Sequence, residues 1–338
     1  MTAWVDLRKI SGGERRPTAQ GGQVQPSPRG WLTDFTWSDG VIEVRKTGVR
    51  LRIDVNLVVE VIYWAMYLLV LGAAMILARL QGKPALAIWY APDRPRPWYL
   101  LHGAALWSGM RAARSPEQAD AAFYFDDTTR GAAPAAGELR VFNARCTDIS
   151  KSHVAKVFAE VFGYPLLLDP ERSVGEIVQK AEKNGVHNGR VVRAPLAPET
   201  GYVYQRLVDT ADAQGMAHDL RTPCVAGRPV LVWEKIKPAG QRFAIHNKRA
   251  VMRDPAEVFS EGELQMIAVF IHRMGLDWGG LDILRDKHDG RIYIVDVNKT
   301  DLGPVIALTW ADKIRSMNRL SKALSGLLGA DKETPPNR

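Results

Sequence analysis

The 338-residue chain has little cysteine. Cys146 and Cys224 cannot build a disulfide framework, which points to a reducing compartment. No apolar stretch lies near residue 1, so no secretory signal is visible and a cytoplasmic setting is expected. Zinc-ligand spacing, an RNA-binding aromatic signature and a long basic run are all missing, which argues against a nucleic-acid partner. No internal repeat is visible.

What is present is a chain able to bury a large core. Its hydrophobic content of 46% suits two or three subdomains. A net charge of +8 and a pI near 9.5 suggest anionic partners such as nucleotide, phosphate or an acidic membrane face. Residues 1–30 are rich in Gly, Pro, Gln and Arg and read as disordered, within a basic tail drawn over 1–48. An apolar helical segment is drawn over 49–82. Residues 61–78 carry no charge, and as a helix they would reach roughly 27 Å, just short of a hydrocarbon core. Basic residues on both sides (Arg50, Arg52; Arg79, Lys83) give no orientation. A core helix, an interfacial helix and a single span compete. Membrane-surface contact through residues 55–80, on the cytoplasmic face, is the expectation.

From residue 83 the pattern is α/β. Residues 85–90 read as a strand, 98–113 as a helix and 121–125 as a second strand, giving a small parallel sheet within 83–147. Residues 150–162 read as a helix ended by Gly163 and Pro165, with Lys151 in its first turn. Strands are expected at 173–180 and 190–193, joined by a loop with two Asn-Gly pairs whose amides can face phosphate. Further strands are expected at 201–208, from Asp219, and at 229–235. Ser260 and Glu263 form a capping box for a helix to Met274. Residues 312–328 read as amphipathic, with Ile314, Met317, Leu320, Leu324 and Leu327 inward. The end, 331–338, is a loose tail after a domain spanning 148–330.

Residues 276–304 organise the rest. Two apolar runs, 281–284 and 291–297, flank an Asp289-Gly290 turn signal, so a β-hairpin is expected. Asp282, Asp296 and Asn298 interrupt that apolarity, and buried carboxylates need a partner or a metal. Alternation puts Asp296 and Asn298 on one face. A two-residue loop would turn Asp282 away. A three-residue loop, His288-Asp289-Gly290 with Gly290 left-handed, sets Asp282 opposite Asp296 and is the expected one. Two carboxylates and an amide oxygen suit Mg²⁺, while solvated acids at a strand end are the bland alternative.

A strand carrying Asp, a turn, then a strand ending acid-x-Asn resembles the metal-binding hairpin of the ATP-grasp superfamily. The resemblance implies a mixed α/β fold with an N-terminal parallel-sheet domain, ATP and Mg²⁺ as cofactors, and Asp282, Asp296 and Asn298 as the metal ligands. It implies nucleotide contacts from Lys151, from Lys180 beside the mobile phosphate loop, and from Gln205, Arg206, Leu207 and Val208 along the adenine pocket. The loop lacks the usual Lys-Pro pair and Gly/Ser-rich run, so Lys183 or Arg193 stands as a substitute for Lys180. Arg221 and Arg242 would be catalytic, holding the transferred phosphoryl group or a substrate carboxylate. The implied activity is ATP-dependent ligation of a carboxylate to an amine on a small-molecule or peptide acceptor. Asp296, where the ligases usually carry Glu, is similar to the inositol-phosphate kinases, so a kinase is the alternative, and a nucleotide-binding module without turnover is the third.

Overall fold

The computed structural model describes residues 35–44, 49–82, 85–186, 188–241 and 247–333. The disordered stretch expected over 1–30 lies outside them. The chain begins as an antiparallel meander of β1 (Phe35–Ser38), β2 (Val41–Val44) and β3 (Val49–Arg52). That corrects the tail drawn over 1–48, because the Asp39-Gly40 pair takes positive φ at both positions and reverses the chain as a tight hairpin turn does.

Helix α1 (Val55–Leu80) follows, capped by Asp54, whose carboxylate accepts the Leu57 amide at 2.8 Å. Next come β4 (Ala87–Pro92), α2 (Leu100–Trp107), β5 (Arg111–Ala112), β6 (Ala121–Phe125) and β7 (Val141–Phe142), the strands forming a parallel sheet in the order β5-β4-β6-β7. The parallel sheet is as expected. The helix expected over 98–113 is shorter, because Arg111 and Ala112 pair with Ala87 and Ile88 at the sheet edge instead of extending α2.

Helix α3 (Lys151–Phe162) leads into β8 (Gly175–Ala181), β9 (Arg190–Ala194) and β10 (Tyr202–Arg206), a small antiparallel sheet in the order β10-β8-β9. The rest builds a six-stranded antiparallel sheet from β11 (Met216–Val225), β12 (Arg228–Pro229), β13 (Val232–Pro238) and β14 (Arg249–Arg253), then, after α4 (Pro255–Val258) and α5 (Glu261–Met274), β15 (Trp278–Arg285) and β16 (Ile292–Asn298). Its order is β14-β13-β11-β15-β16, with β12 paired to β11. The Ser260–Glu263 capping box is present as expected. Asp219 sits inside β11 instead of opening it, since the strand starts three residues earlier at Met216.

One core lies between the six-stranded sheet and helices α3 and α5, with Phe158, Phe270, Ile271, Leu281, Ile283 and Ile294 at its centre. A second joins the parallel sheet to α2 and to α6 (Trp310–Glu333), through Ile88, Phe123, Leu101, Met317, Leu320 and Leu324. Ile314, expected inward on α6, is 41% exposed, because the buried stripe begins one turn later at Met317.

Candidate functional site

The β15–β16 hairpin brings Asp282 directly opposite Asp296, and Asn298 opposite Gly280. The means differ from the expected three-residue loop. Pairing of Arg285 with Ile292 is extended by a bond from the Asp286 amide to the Arg291 carbonyl, so four residues, 287–290, form the loop. Gly290 does take the left-handed conformation, at φ 72°. That register alone would misalign the acids. A β-bulge between the Ile283–Ile294 and Asp282–Asp296 pairs inserts Val295 and restores them.

Two carboxylates facing one another repel unless cations intervene, and four basic side chains from four elements converge on them. Arg221 is in register with Asp282 across β11 and β15; its Nη1 donates to Asp282 Oδ2 at 2.6 Å and its Nη2 donates to Asp301. Lys235 on β13 donates to Asp282 Oδ1 at 3.2 Å. Lys151, 6% exposed in the first turn of α3, donates to Asp296 Oδ1 at 2.6 Å and to Asn184 Oδ1 at 2.7 Å. Lys180 on β8 lies within electrostatic reach of Asp296, Asp282 and Asp219. Burial pushes its ammonium down to about 8, with Asp296 countering and Lys151 adding to the fall. Burial alone would raise Asp282, but Arg221 and Lys235 outweigh it and hold that carboxyl well below the usual range. Lys183 and Arg193, the alternatives to Lys180, are exposed.

The loop between β8 and β9 is tied to this cluster. Asn184 donates through Nδ2 to the Val297 carbonyl at 3.4 Å while its amide is held by Thr129 Oγ1 at 2.9 Å. Glu182 accepts the hydroxyl of Ser152, and its carbonyl accepts the Lys151 amide at 3.4 Å. On β10, Gln205 is 1% exposed, and neither its Oε1 nor its Nε2 has a hydrogen-bond partner among the described residues. A buried side-chain amide with both ends unpaired is uncommon and is suited to a polar ligand. Its neighbours diverge. Arg206 points its guanidinium towards Asp286 and the Tyr293 ring, Val208 joins the core, and Leu207 is half-buried. Arg242 lies outside the described residues.

The donor set fits a hard divalent cation. Asp282 and Asp296 would offer carboxylate oxygens, which in this structure receive Arg221, Lys235 and Lys151, and Asn298 would offer its amide oxygen. Among the described residues no three or more His, Cys, Asp or Glu side chains are placed to hold a metal ion by themselves, so an ion on this hairpin would need further oxygens from water or phosphate.

Asp301 was missed by sequence reasoning. It is 2% exposed, receives Arg221 on one oxygen, and leaves Oδ2 without a partner among the described residues. Gly280 exists to make room for it, since a Cβ there would overlap the Asp301 carboxylate. The signal available was an acid in the DLGP segment, three residues past Asn298, which has no periodicity to flag it.

No protein-family model matches the chain, and no curated protein does. Solved structures are similar to it in part. The ATP-grasp ligase PsnB complexed with a minimal precursor superposes with TM-score 0.40 and 18% identity, over 57% of this chain and 65% of its own, so the chain spans less than two thirds of that relative. An ATP-grasp RimK-domain protein from Sphaerobacter thermophilus gives 0.43 and 16%, over 72% and 100%. D-alanine–D-alanine ligase from Bacillus anthracis complexed with ATP gives 0.43 and 10%, over 74% and 99%.

Proposed function

We propose that this protein is an ATP- and Mg²⁺-dependent ligase of the ATP-grasp kind that joins a carboxylate to an amine. The observation that carries the reading is the opposed pair Asp282 and Asp296, ringed by Lys151, Lys180, Arg221 and Lys235 from four different elements. Asp282, Asp296 and Asn298 would hold the metal, which would supply neutralisation of phosphate charge there. Lys151 and Lys180 then face the nucleotide phosphates, and Arg221 and Lys235 face the group in transfer. Gln205 meets the base with its unpaired amide.

The substrate carboxylate oxygen attacks the terminal phosphorus, ADP leaves, and an acyl phosphate forms. The amine nitrogen then attacks the carbonyl carbon, phosphate departs, and the amide remains after loss of the amine proton. The protein does no covalent work. It positions and stabilises developing charge with preorganised cations in a site shielded from water.

The test is ATP turnover with pooled carboxylic acids and peptides in the presence of hydroxylamine, which traps acyl phosphates as hydroxamates. Hydroxamate formation that requires ATP, metal and acid supports the ligase. ADP release with a phosphorylated hydroxyl product and no hydroxamate would replace it with the kinase reading that Asp296 favours. Nucleotide binding without ADP release would leave a binding module.

A further inference from the structure

Helix α1 touches the body along one stripe only. Tyr67, Leu71 and Ala78 are buried, and Trp64 and Leu68 are packed against the same core. The contacts run from its ninth residue, Tyr63, to Ala78. The Tyr63 ring stacks on Trp310 of α6 with centroids 5.9 Å apart, and the Lys313 ammonium sits 6.0 Å above Tyr63. In the middle, Tyr67 and Leu71 close on Gly103 of α2, and near the end Ala78 closes on Gly109. From Tyr63 to Ala78 that is roughly 22 Å of helix laid along the protein.

The remainder of its circumference is exposed and apolar: Val58, Ile62, Met66, Leu69, Ile76 and Leu77 all face outward. No residue from 61 to 78 is charged, and Tyr63 is the one exposed side chain there with a hydrogen-bonding group. This arrangement fits neither a core helix, which would be covered, nor a span, which would need lipid along the side that α2 and α6 occupy. A protein partner would bring about one hydrogen bond per 100–200 Å² and a polar rim, which this face cannot answer. A lipid leaflet makes no such demand. The charge of +8 and the exposed Arg79 at the end of the helix favour an anionic leaflet.

We infer that α1 is an in-plane membrane anchor, lying with its exposed face in one leaflet of an anionic bilayer while its opposite stripe stays docked on α2 and α6. The full chain is floated with phosphatidylcholine vesicles, with and without phosphatidylglycerol. It should float with the anionic vesicles, and Ile62→Glu with Leu69→Glu should cut the bound fraction about tenfold with the thermal midpoint unchanged. Depth is read from nitroxide labels at Ile62→Cys, Leu69→Cys and Leu77→Cys, the native Cys146 and Cys224 being buried. All three should sit at a similar depth, about 5–10 Å below the headgroups. Leu69 at the bilayer centre with the other two near opposite faces would overturn the in-plane placement. Failure to float would overturn the membrane, and a soluble dimer that the Glu variants split into monomers would put a second copy on this face instead.

Discussion

The six-stranded sheet that carries the acidic pair and the three-stranded β10-β8-β9 sheet are built to different standards. The six-stranded sheet is backed by α3 and α5 over a core containing Phe158, Phe270, Tyr293 and a ladder of aliphatic side chains. The β10-β8-β9 sheet has Ile177, Ala194 and Tyr204 as its own buried hydrophobics, with Leu168, Val192 and Leu196 partly covered. The six-stranded sheet carries Arg221, Lys235 and all three candidate metal ligands; the three-stranded one carries Lys180 and Gln205. The difference teaches where stability comes from. The body holds its side chains in place by burial, while the small sheet has few buried apolar side chains of its own to hold it.

The largest effects should come from the body. Phe270→Ala removes a fully buried ring and should cost about 3–5 kcal/mol in denaturant unfolding, as large core deletions do. Arg221→Ala leaves Asp282 and Asp301 without their shared cation and should cost on the order of 3–5 kcal/mol. Adding Asp301→Asn to that variant should recover part of the loss, which a steric account of Arg221 would not predict.

In the small sheet, Ile177→Ala should speed hydrogen exchange of β8 to β10 and leave exchange in β11 and β15 unchanged. Equal acceleration in both sheets would erase the distinction between them.

The smallest effect is a pH dependence near the start of β11. Burial disfavours a charged His218, but hydrogen bonds with Asp212 and Glu234 outweigh it and raise its pKa above 6.5. The stabilisation is therefore complete below 6.5 and is lost as pH rises through the raised folded value. Compared with His218→Gln, the wild-type thermal midpoint should lose its advantage between about pH 6 and pH 8. A constant difference across that range would remove the ion-pair account.

The hairpin was legible because burial and polarity conflicted in it: an otherwise apolar pair of strands had to place Asp282, Asp296 and Asn298 somewhere. Its register came out right by a route the residues did not announce, since a bulge at Val295 depends on pairing geometry and not on side-chain type. Lys151 was marked by its place at the start of a helix ending in Gly-x-Pro, but its pairing with Asp296 was not. Asp301, Asn184 and Lys235's hold on Asp282 were not, because each acts across long sequence separations that no local pattern encodes. The β1–β3 meander was hidden by the polar, glycine-rich composition of what precedes it. Helix α1 was legible as apolar, but only its docked stripe separates lying from spanning.

The most direct test of the account is thermal unfolding of the full chain with ATP, with and without Mg²⁺, beside Asp296→Ala. The account predicts a rise in midpoint that needs nucleotide and metal together and vanishes in the variant. An equal rise in Asp296→Ala, or none in the wild type at saturating ATP, would contradict it.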